Sequence, residues 1–233
     1  MPWLIAQYVP VGLFSLKHGE ATSTGGKGLL IPTPFALRTA LVDAALRVQG
    51  RQHAARIFEM VKGLDLALQP PPYAVSNGVL IRVLKPERGD SAKAAARFFQ
   101  RTIAFREFVQ WQGTLGLALG SPQTQVLAQV AAWLPHITYL GKRGGFVQLA
   151  RPPRLADDLP AGFIPLRPQA PQAGFPLGLV QRVDDWGPSL TWERLNVYSR
   201  ERIRLGRDRV RYEVVVPYAL QQAGRGFTVY AAE

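Results

Sequence analysis

The sequence of 233 residues contains no cysteine, three histidines, two methionines and six lysines. Without cysteine there is no disulfide scaffold, thiol nucleophile, zinc finger of the cysteine type or iron–sulfur cluster. His18, His53 and His136 are far apart and none belongs to an HExxH box or similar metal motif. No apolar run reaches the ~18 residues of a membrane-spanning helix. The opening MPWLIAQYVPVG has no basic residue before its apolar stretch and no small-residue cleavage site, so no secretory signal is expected. No GxSxG, GxGxxG or DFG motif is present. These absences point to a cytoplasmic globular protein with no expected cofactor or metal and no membrane partner.

Positive charge is plentiful. Lys and Arg number 28 against 16 Asp and Glu, a net charge of +12, and all but six of the 28 are arginine. The surplus is +7 over residues 1–116 and +5 over 117–233, so it is not one detachable tail. Arginine offers a planar fork of donors that matches phosphate oxygens and stacks on bases, which directs attention to nucleic acid. The apolar fraction of 47% is enough for a real core.

Periodicity and breakers predict the elements. Trp3–Leu16 reads as one strand or two short ones, and the glycine-rich stretch His18–Gly28 as a loop. Thr33 caps a helix with Pro34 at its first position. Leu37, Leu41, Ala44, Ala45 and Val48 make its apolar stripe, and Gly50 stops it. Arg38 and Arg47 fall off that stripe, towards water or a ligand. A second helix is expected over Gln52–Lys62, with Ile57, Met60 and Val61 inward.

Tyr73–Leu84 reads as extended around a turn at Asn77-Gly78. Lys85–Asp90 is turn-like, and Ser91 is placed to cap a short helix to Phe98. Ile103, Phe105, Val109 and Trp111 alternate on one face, and Leu115, Leu117 and Leu119 on another, with a junction near Gln112-Gly113. Ser121 and Pro122 start a third helix, with Val126, Leu127, Val130, Trp133 and Leu134 inward. Ile137–Leu140 is expected to be a short strand and Phe146–Ala150 extended.

Read in order, residues 1–150 follow the βαββαβ plan of an α+β, ferredoxin-like (RRM-like) domain, with a strand-rich insertion around 70–110. The free face of such a sheet is a common RNA platform. Seven prolines in residues 152–176 mark 151–176 as a connector, and 177–233 as a smaller β-rich region.

Three constellations bear chemistry. Gly141, Lys142, Arg143, Gly144, Gly145 and Phe146 combine close backbone approach, charge and a stacking ring without the spacing of a Walker loop. Tyr198–Tyr212 alternates Arg200, Arg202 and Arg204, then Arg207, Arg209 and Arg211 after Leu205-Gly206. This pattern predicts a hairpin with six guanidinium groups, or a charged edge that discourages aggregation. Lys17-His18 near Tyr8 has the residue types of a metal-free ribonuclease. Trp186 and Trp192 are expected at the surface, where protein neighbours would cover them.

The opening strand, the Ile31-Pro32-Thr33-Pro34-Phe35-Ala36-Leu37 entry to the first helix and the Ile137-Thr138-Tyr139-Leu140-Gly141-Lys142 approach to the glycine turn resemble the RAMP superfamily. Within it they are most similar to the fifth CRISPR-associated (Cas) family. The similarity covers mainly residues 1–150. It implies a non-catalytic subunit of a type I Cascade-like complex that holds the 5′ handle of the CRISPR RNA (crRNA). The implied partners are crRNA, the backbone and large subunits, and target DNA within the complex. The implied RNA contacts are the 141–145 turn, with Lys27 and Arg38 flanking the first helix. One branch of the family matures precursor RNA with Tyr, Lys and His, which leaves an endoribonuclease as the alternative. A purely structural scaffold or another RNA-maturation factor is the other.

Overall fold

The computed structural model describes residues 1–21, 26–86, 99–168 and 177–232. The expected turn at 87–90 and the helix capped by Ser91 lie outside the described residues. The protein is mixed α/β, rich in sheet and with few helices.

The central sheet is built on strand β1 (Trp3–Pro10), which pairs antiparallel with β5 (Leu115–Gly120). On the far side of β5 lies β2 (Asp65–Gln69). The other edge of β1 takes β6 (Val147–Leu149) at its end and β7 (Arg154–Ala156) at its start. A two-residue strand, β8 (Ile164–Pro165), closes the β2 edge. Between β1 and β2 run helices α1 (Pro34–Gln49) and α2 (Ala54–Lys62), and between β5 and β6 runs α3 (Thr124–Ala131).

Helix α1 starts and ends where its residues dictate. The Thr33 hydroxyl accepts from the Ala36 N–H at 3.2 Å, Pro34 opens the first turn, and Gly50, at φ +90°, takes the chain out. Leu37, Leu41, Ala44 and Ala45 face the core as expected, whereas Val48 lies beyond it and is exposed. Alternate residues of the sheet (Leu4, Ala6 and Tyr8; Leu66 and Leu68; Leu115, Leu117 and Leu119) meet the helices in one continuous core. Tyr8 is part of that core, and its hydroxyl donates to the Leu134 carbonyl at 2.9 Å.

The opposite face of the sheet is not free. Trp3, Ile5, Ala67 and Ala118 are buried there under Ala156, Leu159 and Phe163. The Phe163 ring lies so close to Gly116 that a Cβ there would sit 2.8 Å from it. The proline-rich stretch is therefore cover as well as connection, because its apolar side chains seal a face that would otherwise expose tryptophan and isoleucine. An open RNA platform on this face is ruled out by that cover.

A second sheet has the order β11 (Tyr218–Gly224), β12 (Phe227–Ala232), β3 (Tyr73–Pro86), β4 (Phe99–Gln112). The strands around 70–110 and those at the end of the chain thus share one sheet. The expected turn at Asn77-Gly78 is absent, since both residues lie mid-strand, opposite Phe108 and Glu107. Long pairing with β4 overrides the local turn preference, and the glycine serves another purpose. A Cβ at Gly78 would meet the Phe105 ring at 2.6 Å, and its N–H donates to the Gly226 carbonyl. Beyond Asn77 the β3–β4 pair has no β12 partner. Val109 and Trp111 are buried as alternation predicts, but Ile103 and Phe105, on the same face farther out, are exposed.

The remaining ribbon pairs β9 (Leu179–Trp186) with β10 (Arg209–Val216). Its inward residues, among them Val183, Val214 and Val216, join the main core. A single-turn helix, α4 (Trp192–Leu195), follows β9. Ile137–Leu140 forms only an isolated bridge, Tyr139 to Phe146, instead of a strand.

Candidate nucleic-acid interface

The glycine turn is a compact knot. Leu140 N–H donates to the Gly145 carbonyl at 3.0 Å, and Gly145 N–H donates to the Lys142 carbonyl at 3.1 Å. Gly141 and Gly144 adopt φ of +71° and +108°, which side-chain-bearing residues rarely tolerate. The knot leans on buried Leu140 and Val147 and on Phe14. Gly12 allows this closeness, because a Cβ there would collide with the Gly144 carbonyl. Lys142, Arg143 and Phe146 are left exposed, Phe146 to 50%.

A neighbouring segment brings further cations. Phe14 exchanges backbone hydrogen bonds with Val109 at 2.9 and 2.7 Å, and the Ser15 hydroxyl donates to the Glu107 carbonyl. The chain from Phe14 to Lys17 is thus laid along β4, with the glycine turn on its other side. As a result Lys17, Arg106 and Lys142 converge. Partial burial, then repulsion by Arg106 and by Lys17, holds the Lys142 ammonium below the usual lysine range. The Arg106 Nε is buried and has no hydrogen-bond partner in the protein. Concentrated positive charge with an unused donor is suited to an anion. Lys27, exposed, stands nearby on a stretch tied in by hydrogen bonds from His18 N–H to the Lys27 carbonyl and from Gly28 N–H to the Glu107 carboxylate.

The other expected site residues are elsewhere. Arg38 is buried rather than turned to water. Its Nε donates to Asp185 at 2.9 Å and its Nη1 to the carbonyls of Val61 and Leu64. These bonds occupy it as a tie between α1, the end of α2 and β9. Tyr212 joins the same knot, donating to the Leu166 carbonyl at 2.7 Å. Burial first, then the Asp185 charge, pushes its hydroxyl far above the usual tyrosine range.

The predicted arginine hairpin is not formed, because β10 pairs with β9 and residues 200–204 carry no strand. Asp208, fully buried, gathers this loop. Its carboxylate accepts from the backbone N–H and Nε of Arg204 and from Nη1 of Arg194. Desolvation alone would raise its pKa, but the Arg204 hydrogen bonds and the Arg194 and Arg204 charges bring it below the usual carboxylate range. Arg209 pairs with Asp184 and lies over the Phe35 ring, and Arg211 donates to the Gly19 carbonyl. Arg200, Arg202 and Arg207 are exposed. The six arginines do not converge on one face. Trp186, expected at the surface, is stacked on Phe58 in the core, and Trp192 is half-buried.

Arg106 and Lys17 are the binding-type residues that sequence reading did not assign to this surface. Neither lies in a motif; only the long β4 and the bridge at Phe14 carry them to the glycine turn. The Tyr8–Lys17–His18 set is not assembled, since Tyr8 is sealed in the core.

No protein-family model matches the sequence. The chain is similar to the CRISPR-associated protein Cas5 of Archaeoglobus fulgidus, 24% identical over 211 residues that cover 85% of this chain and 86% of that protein. Two solved structures overlap with it in part. One, a CRISPR protein from Archaeoglobus fulgidus, gives a TM-score of 0.41 at 11% identity, over 100% of this chain and 92% of that one. The other, a CRISPR RNA-guided surveillance complex, gives 0.40 at 15% identity, over 78% of this chain and 76% of that one. On its likeness in sequence to the Archaeoglobus protein over most of both chains, the protein belongs to the CRISPR-associated Cas5 family.

Proposed function

We propose that this protein is the subunit of a Cascade-like CRISPR ribonucleoprotein that holds the 5′ handle of the crRNA, and that it does so without cutting it. The observation that carries the reading is the convergence of Lys17, Arg106 and Lys142 beside exposed Arg143 and Phe146 on a rigid glycine turn. Phosphates would meet the cations and a base would stack on Phe146. Lys27 and the exposed Arg200, Arg202 and Arg207 extend the positive field and contribute at longer range. Arg38 has no part in this reading.

The sheet order β6-β1-β5-β2, all antiparallel, with helices on one face, supports a ferredoxin-like RAMP domain as the frame. With its other face covered, such a domain would grip RNA by its edge loops. Backbone and large subunits, and target DNA, are the remaining partners in this reading. Burial of Tyr8 argues against a Tyr-Lys-His cleavage centre here.

The test is fluorescence anisotropy with a labelled RNA carrying the 5′ end of a repeat-derived guide, at several salt concentrations. Lys142→Ala with Arg143→Ala should weaken binding about tenfold or more and lower the salt slope by roughly 1.4, about 0.7 per lost phosphate contact. An unchanged affinity would overturn the reading. Incubation of the same protein with full repeat RNA in EDTA should leave the RNA intact; cleavage abolished by His18→Ala would overturn the non-catalytic part.

A further inference from the structure

On the side of α1 away from the sheet lies an open groove of about 670 Å3. Val42 and Leu46, one helical turn apart on α1, face Trp192 and Leu195 of α4 across it. Tyr139 closes one end, and Arg47, Asp43 and Arg51 stand on the α1 rim. The far wall is Asn196, Val197 and Tyr198. Val197 and Tyr198 are 87% and 82% exposed, among the most exposed large apolar side chains of the described residues.

That exposure does not come from a loose loop. Asn196 Oδ1 accepts from the Tyr198 N–H at 3.1 Å, the Asn196 carbonyl accepts from Ser199 N–H at 3.0 Å, and the Ser199 hydroxyl donates to the Glu193 carbonyl. Arg51 holds the Tyr198 ring from one side, its guanidinium carbon 5.3 Å from the ring centre. Two apolar side chains are therefore held out into water on a fixed backbone, beside a groove with an apolar floor. Contiguous apolar surface of this kind marks a protein contact, and pre-ordering lowers the cost of making it.

Charge selects the partner. Asp43 is neutralised by Arg47 at 2.9 Å, and Glu201 lies 3.6 Å from Arg194. That leaves Arg51, Arg200 and Arg202 against Glu193 alone, a positive rim around an apolar floor. Floor residues spaced by three and four positions on two helices present ridges into which a third helix fits. We infer that this groove docks an acidic amphipathic helix of a partner protein, its apolar face on Val42, Leu46, Trp192 and Leu195 and its carboxylates on Arg51, Arg200 and Arg202. The inference stands apart from the RNA reading, since it uses none of the glycine-turn residues.

The probe is a labelled synthetic helix of about sixteen residues, roughly four turns, with leucine at positions of one face and glutamate on the others. A second peptide has lysine in place of every glutamate. The glutamate peptide should bind the full-length protein at least tenfold tighter than the lysine peptide. Arg51→Glu should weaken the glutamate peptide about tenfold, and Val197→Asp should weaken both; each replaces an exposed side chain, and unchanged thermal unfolding verifies the fold. Lys142→Ala with Arg143→Ala should leave peptide binding as it was, so failure of the RNA reading does not pass to this one. Equal affinity for the two peptides, or no binding of either, overturns the inference. So does an Arg51→Glu protein that loses RNA affinity while keeping the peptide, which would make the groove a nucleic-acid surface.

Discussion

The arginines around the β9–β10 ribbon and the cations beside the glycine turn carry the same charge in opposite surroundings. Arg209 has Asp184, Arg182 has Glu20, and Arg204 and Arg194 share Asp208. Lys142 has cations for neighbours, and the Arg106 Nε has no partner. The first group is held by carboxylates of the same chain and ties loops to strands. The second is held together against its own repulsion by backbone pairing, a cost that a folded protein recovers when a polyanion arrives. Counting arginines therefore overstates the binding surface, and an acid close in space decides which of them are spent.

The largest effect should come from breaking the most deeply buried pair. Asp185→Ala leaves the Arg38 guanidinium inside without its counter-charge and should cost about 3–5 kcal/mol in urea unfolding. RNA affinity per folded molecule should stay unchanged; a loss of RNA affinity without a loss of stability would place Arg38 among the binding residues after all. A smaller change is expected from Asp184→Asn, which releases Arg209 from its carboxylate. RNA binding at low salt should then rise about threefold and the salt slope steepen by roughly 0.7, as for one added phosphate contact. No change would mean that distance from the turn, and not the local acid, keeps Arg209 out of the interface.

The finest effect is one of pH. Lys142 in the free protein releases its proton at lower pH than an ordinary lysine, and a bound phosphate favours the proton. RNA affinity should fall as alkaline pH passes through that lowered value, and Lys142→Arg should flatten the profile, since arginine stays charged. Folding stability should move the other way. In the window between the folded and unfolded values the unfolded chain binds more protons, so stability rises with pH there. Titration of anisotropy and of unfolding midpoints across that range checks both signs.

What could be read in advance divides along the same line. Helix α1 was legible because its cap, its first proline, its stripe and its stop are all local. So was the glycine turn, where four glycines and two cations occur within six residues. Arg38 was not, because its acid lies 147 positions along the chain. Asn77-Gly78 misled because pairing with β4 outweighs a two-residue preference. The six alternating arginines misled for a similar reason, since the buried Asp208 among them folds the stretch into a loop. Arg106 carried no local signal, and only the register of β4 against Phe14 gives it its neighbours.

The position of β1 bears on how the molecule assembles. Its partners span Leu115 to Gly120, Val147 to Leu149 and Arg154 to Ala156, so the earliest strand of the central sheet is completed by some of its later ones. Closing contacts over such separations is slow, because the entropy of a long loop is lost before any pairing is gained. While the chain emerges from the ribosome, Trp3, Leu4 and Ile5 wait unpaired for well over a hundred residues. During that interval the protein depends on chaperones, or on early capture by its assembly partners, to keep that apolar segment from pairing with a neighbour's.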